Sequence, residues 1–234
     1  GLTQALVARG HRVEAVVGKP YYPQWRTYPG FAGGGWSTAV EEGVTVTRCP
    51  HYVPANPSGA RRIAHLASFA LSALGPGLRA ALRPAEARPK VVVTVAPALL
   101  SVFTAWLAAK LAGARLWIHV QDFEVEAALA TGLLPDAGWA ARLSRWLEAR
   151  LLRLGDKVST ISPQMCAKLV AKGVAGDRVV EGPYPSAAND QQQQDRGPDE
   201  MLDPGGGVHE GLNHRDHAEE RQGRGPCPQT QDEQ

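Results

Sequence analysis

The chain has 234 residues, 44% hydrophobic and 21% charged, enough for one large domain or two small ones. Its three cysteines, Cys49, Cys166 and Cys227, have no second Cys or His at ligand spacing, which argues against a disulfide framework or zinc site and for a reducing compartment. The net charge of +2 hides an asymmetry: residues 182–234 hold four basic against eleven acidic side chains, so residues 1–181 carry +9 and suit an anionic partner.

A nucleotide diphosphate, a lipid phosphate or an acidic bilayer surface would each answer to that charge. Nucleic acid is not expected, because no basic run is interleaved with aromatics. The most apolar window, Ala96 to Ile118, is broken by Lys110 and Arg115 and is too short for a bilayer span. No signal peptide is visible, and the chain opens in mid-pattern on Gly1-Leu2.

Leu2 to Arg9 reads as the last turns of a helix stopped by Gly10, and Arg12 to Val17 as a β-rich run closed by Gly18. The strand expected before that helix, with its phosphate-cradling turn, is missing from the pattern. Lys19 to Trp36 is a loop with Pro20 and Pro23, the aromatics Tyr21, Tyr22 and Trp25, and three consecutive glycines. It can serve as an acceptor-binding lip, as a membrane-touching edge, or as a plain surface loop pinned by its own aromatics.

Val44 to Arg48 alternates as a strand. Ile63, Leu66, Ala67, Ala70, Leu71 and Leu74 then recur at helical period behind Arg61 and Arg62. A packed helix is the commoner meaning of such a stripe, and a membrane-surface helix the alternative. The unbroken β-branched run Val91 to Val95 predicts a central strand buried on both faces. A crossover helix over Leu99 to Leu111 follows, and then a strand at 115–120. Trp139, Leu143, Trp146, Leu147, Arg150, Leu151 and Leu154 predict another amphipathic helix. Asp156 to Ile161 reads as a strand, Ser162-Pro163 as the cap of a helix through Lys172, and Arg178 to Glu181 as a last strand. Strand and helix alternate throughout, so residues 1–181 are expected to form an α/β domain with a Rossmann-like, doubly wound parallel sheet.

Residues 182–234 fall outside that pattern. They contain a four-glutamine run and few large apolar residues, and they are expected to be a disordered polar tail. Its composition also resembles GC-rich DNA translated out of frame, which resequencing the gene around codon 182 would test. His209, His214 and His217 lack the four-residue spacing that sets two imidazoles on one helix face, so no metal site is expected there.

The informative stretch is Arg115 to Glu124. Its β-rich run ends in His119, Gln121, Asp122 and Glu124, as a buried parallel strand does when it delivers polar groups to the carboxyl edge of a sheet. Those groups either face a ligand crevice or solvate a strand-to-helix loop, and spacing alone leaves both readings open.

Several stretches, taken in order, carry a family resemblance. They are Gly10-His11 before a strand, Pro20-Tyr21-Tyr22-Pro23-Gln24-Trp25, Arg48-Cys49-Pro50, His65 to Ser72, His119 to Glu126, and Val158 to Pro163. The series resembles the N-terminal domain of family 4 glycosyltransferases, above all those of colanic acid and exopolysaccharide biosynthesis. The resemblance implies half of a GT-B fold and a retaining, nucleotide-sugar-dependent transfer that needs no metal and no cofactor beyond the sugar donor as co-substrate. It implies a lipid-linked sugar acceptor at the cytoplasmic face of the membrane, with peripheral membrane contact. By position, His119 would bond donor hydroxyl or phosphate oxygens and Asp122 would orient or deprotonate the acceptor hydroxyl. Tyr21, Tyr22, Gln24, Trp25 and Glu124 would shape the acceptor pocket.

The family's donor-domain Glu-x7-Glu motif is absent, and after Glu181 the family's linker gives way to the polar tail. The chain therefore reads as an acceptor-binding fragment, inactive by itself. A non-catalytic α/β module docking to a membrane or protein partner is the alternative. A Rossmann dehydrogenase is not supported, since no Gly-x-Gly-x-x-Gly follows any strand.

Overall fold

The structure, a computed structural model, describes residues 2–96, 99–123, 125–126 and 138–182. Glu124 and the tail from 183 onward lie outside the described residues.

Two sheets carry the domain. The first has three strands in the order β1 (Glu14–Gly18), β3 (Val44–Cys49), β2 (Ser37–Glu41). The second has four strands in sequence order: β4 (Val91–Ala96), β5 (Arg115–Val120), β6 (Lys157–Thr160) and β7 (Val179–Glu181). All pairs in the second sheet are parallel, as the alternation of strand and helix predicts. β1 and β3 are parallel as well, whereas β2, to which the sequence pattern assigns no element, forms an antiparallel hairpin with β3. The turn of that hairpin is Glu42-Gly43, both at positive φ, the two-residue geometry whose twist matches paired strands. Gly43 is required twice over, since a Cβ there would also lie 2.9 Å from Val7 Cγ1.

Helix α2 (Gly59–Ala81) joins the two sheets, touching β1 and β3 and packing along α3 (Leu99–Ala112). Thr104 Oγ1 of α3 donates to the Ala70 carbonyl of α2 at 3.0 Å. α4 (Trp139–Leu152) and α5 (Pro163–Ala171) complete the cover, and the short α1 (Leu2–Ala8) touches β3. α5 begins as predicted: Ser162 Oγ accepts from the Met165 N–H, and Pro163 stands in the first turn.

β5 organises the core. Leu116, Ile118 and Val120 point inward with Val102, Leu152, Val158, Leu169 and Val179. Each such side chain contributes about 1.5–3 kcal/mol relative to exposure. Asp156 fixes the register of the next strand, because its Oδ2 accepts from the Leu116 N–H while its own N–H donates to the Leu116 carbonyl, both at 2.8 Å.

Three expectations of burial are corrected. Val91, Val93 and Val95 are exposed, because β4 is paired on one side only and covered by α3 on one face among the described residues. In α2 the buried face is His65, Ala70, Ala73 and Ala81, while Ile63 and Leu71 are exposed; small residues let α2 and α3 approach closely. In α4 the stripe Trp139, Leu143, Trp146 faces outward, and Ala141, Glu148, Leu151 and Leu152 face in.

Candidate functional site

Parallel strands of one sheet present their carboxyl ends to the same edge, and a group of side chains collects at that end of each sheet. The first is centred on His119. The register sets His119 opposite Ser159, which is only 1% exposed. Trp117 Nε1 donates to Ser159 Oγ at 2.7 Å, and His119 Nδ1 lies 2.9 Å from the same oxygen. An indole N–H can only donate, so the hydroxyl's own proton is available to Nδ1; with that bond made, the ring proton of His119 sits on Nε2, the nitrogen with no partner among the described residues. Burial holds its pKa below the ordinary 6.5, which keeps the ring neutral near pH 7. The chain leaving β7 passes beside the ring, where a Cβ on Gly182 would lie 3.7 Å from His119 Cε1.

Asp122, two residues beyond β5, is exposed. Its Oδ1 accepts from the Phe123 N–H at 2.9 Å, and its second oxygen is unbonded among the described residues. The segment after it is held by charge. Glu126 pairs with Lys168 and Lys172 at 2.7 and 3.0 Å, and Lys172 reaches the buried Glu148 at 2.5 Å. Both ammonium groups also lie over the Phe123 ring. The void enclosed by Asp122, Phe123, Glu148 and Leu152 is about 10 Å³, room for one water at most, so no ligand is housed there.

The second group is built by the loop after β1 and the segment after β3. Tyr21 and Trp25 pack together with ring centroids 5.4 Å apart, and both stand edge-on to His65, at 4.6 and 5.7 Å. His51 joins at 4.9 Å from His65. Each imidazole donates its Nδ1–H to a carbonyl, His65 to Tyr52 at 2.6 Å and His51 to Cys49 at 3.2 Å, which leaves both Nε2 atoms as acceptors. Burial above all lowers the pKa of His51, with His65 and Lys19 adding repulsion. Tyr21 is raised, chiefly by burial.

Beside this cluster an open cleft of about 770 Å³ is walled by Gln24, Trp25 and Arg26 from the loop and by Val53 and Ala55 opposite. Trp25 holds a left-handed backbone, φ 50°, uncommon for a bulky residue and of the kind that collects at ligand sites. Arg62 lies over its ring at 5.4 Å, and neither Arg26 nor Arg62 has an ion-pair partner among the described residues.

Of the residues singled out from sequence, Gln24 and Trp25 line the cleft and Tyr21 backs it. Tyr22 is 71% exposed and outside the lining. His119 and Asp122 share the edge of β5 without touching each other. His51, Lys19 and Ser159 were missed as site residues, and His65 was read only as part of a motif. Among the described residues no three acidic, His or Cys side chains cluster to hold a metal ion.

The sequence profile of the glycosyl transferase 4-like domain matches residues 1–185. The chain belongs to the family 4 glycosyltransferases. A protein of Escherichia coli (strain K12), WcaI, named for glycosyl transfer in colanic acid biosynthesis, is 40% identical over 182 residues. The match covers 76% of this chain and 43% of that relative, so the chain spans less than half of its length. Within this family the α/β architecture agrees with a Rossmann-like half of a GT-B fold. Among the described residues no helix is long and apolar enough to cross a membrane.

Proposed function

We propose that this chain supplies the acceptor-binding half of a retaining, nucleotide-sugar-dependent glycosyltransferase of exopolysaccharide synthesis, working at the cytoplasmic face of the membrane on a lipid-linked sugar. The observation that carries the reading is the open cleft walled by Trp25, Gln24 and Arg26. An indole face suits a sugar ring or prenyl chain, and the unpaired guanidinium groups of Arg26 and Arg62 suit an acceptor phosphate. No cofactor is called for, because the nucleotide of the donor is itself the leaving group.

Asp122 has one carboxylate oxygen committed to the backbone and one available to orient the acceptor hydroxyl and draw its proton. His119, neutral and protonated on Nε2, donates to a hydroxyl or phosphate oxygen of the sugar donor and does not act as a base. The donor's nucleotide is bound by the remainder of a full-length family member.

A chimera in which this chain replaces the matching segment of the Escherichia coli relative tests the assignment, with sugar transfer as the readout. Asp122→Asn is expected to lower kcat by about 10²-fold or more with the fold unchanged. Transfer at the parent rate would remove Asp122 from the mechanism, and inversion at the anomeric carbon of the product would overturn retention.

A further inference from the structure

Asp122 does not set its own direction. Its Oδ1 accepts from the Phe123 N–H, so the carboxylate turns with the peptide between the two residues. That peptide is anchored by the Phe123 ring, which is buried and belongs to the core around β5. Two ammonium groups from the carboxyl end of α5 cover the ring, Lys172 at 4.9 Å from its centroid and Lys168 at 5.7 Å. Glu126, three residues on, pairs with the same two lysines.

The two lysines are not equivalent. The Lys168 side chain is 53% exposed and meets Glu126 alone, an ion pair of the surface kind that contributes little. The Lys172 side chain is 17% exposed and meets two carboxylates, Glu126 at 3.0 Å and the buried Glu148 of α4 at 2.5 Å. Burial opposes its charge, but its hydrogen bonds to Glu148 and Glu126 more than offset that and raise its pKa above 10.5, so Lys172 stays an ammonium. Glu148 fixes where that ammonium stands. The ammonium in turn fixes Glu126 and the ring beside Asp122.

We propose that Lys172 is a positioning residue for sugar transfer. Acting through the Phe123 ring and Glu126, it holds the segment after β5 so that the second carboxylate oxygen of Asp122 is presented to the acceptor hydroxyl. Lys172 itself touches neither substrate. The proposal rests on the reading of Asp122 as the group that orients that hydroxyl and draws its proton. Small displacements of such a group are costly, because a shift of about 1 Å can lower a rate by roughly 10²-fold. Loosening one anchor among several is expected to cost about tenfold.

Stability and positioning separate in Glu148→Leu with Lys172→Met, which removes the buried charge together with its counter-charge and is expected to keep a urea midpoint near that of the parent. In the purified chain this pair is expected to lower hydrogen-exchange protection of the Phe123 amide at least about tenfold, with the β5 amides unchanged. In the chimera described above it is expected to lower kcat about tenfold with KM for donor and acceptor unchanged. Lys172→Arg, which keeps the cation, is expected to retain most of the parent kcat, and Lys168→Met nearly all of it. Glu126→Gln, at a half-exposed position where the fold is not at stake, is expected to lower kcat several-fold in the same way. Parent-like protection of the Phe123 amide in the folded pair would overturn the proposal, as would a parent kcat in that pair or a loss in Lys168→Met as large as the pair's. A parent kcat in Asp122→Asn would instead overturn the reading of Asp122 on which the proposal rests.

Discussion

Ser159 serves two partners at once, accepting from the Trp117 indole and giving its proton to His119. In Ser159→Ala the partly exposed Trp117 indole N–H loses its protein acceptor, which costs about 0.5–1.5 kcal/mol by urea denaturation. His119 is released with it, so its pyridine-type Nδ1 signal in nitrogen NMR is expected to shift, while Ser159→Thr preserves it. An Nδ1–H in the parent chain would contradict the assignment of His119 as an Nε2 donor. His51 gives a second prediction. Burial lowers its pKa from 6.5, so the unfolded chain takes up a proton first as the pH falls. Stability is then complete above pH 6.5 and drains as the pH drops through 6.5 towards the folded value. Urea midpoints at about pH 7.5 and 5.5 should differ in that direction, with His51→Gln reducing the slope; equal midpoints would refute it. His119 and Asp122 were legible because polar residues end a β-rich run. Ser159 was not, since a serine in a strand beside a Ser-Pro cap carries no mark of what lies across the ladder.

Glu148 shows how an element can be read correctly and turned the wrong way. The apolar period of α4 is real, yet the face that packs inward holds a carboxylate, because Lys172, the residue capping α5, meets it there. Glu148→Ala leaves Lys172 largely buried with Glu126 alone. The expected loss lies toward the lower end of roughly 3–5 kcal/mol, and Glu148→Leu with Lys172→Met should recover most of it. Equal stability of Glu148→Ala and parent by urea titration would mean the pair contributes nothing. Pattern located β3, β4, β5, β6 and the capped α5 within a residue or two, because each alternates or is bounded by Gly, Pro or Ser. β2 escaped, since all five of its residues are exposed and it is held by the backbone of β3. Its turn, Glu42-Gly43, was the one available signal.

At the scale of the whole molecule, periodicity was enough for the α/β class and ordered motifs for the family. What neither could supply is how segments distant in sequence meet. The loop after β1 and the segment after β3 form one cleft because β1 and β3 are parallel neighbours, so both leave the sheet at the same end. Arg62 reaches Trp25 from a helix that begins more than thirty residues later in the sequence. Two cations stand at that aromatic cleft, Arg26 in its wall and Arg62 over the Trp25 ring.

On the proposed function, this cleft binds the acceptor and donor recognition lies elsewhere in the full-length enzyme. Calorimetric titration of the purified chain tests it, with a diphosphate-linked prenyl sugar in detergent in one series and a panel of UDP- and GDP-sugars in the other. The expected result is saturable acceptor binding that Trp25→Ala or Arg62→Gln weakens at least tenfold, with no binding of the nucleotide sugars. Micromolar nucleotide-sugar binding with no acceptor binding would contradict it.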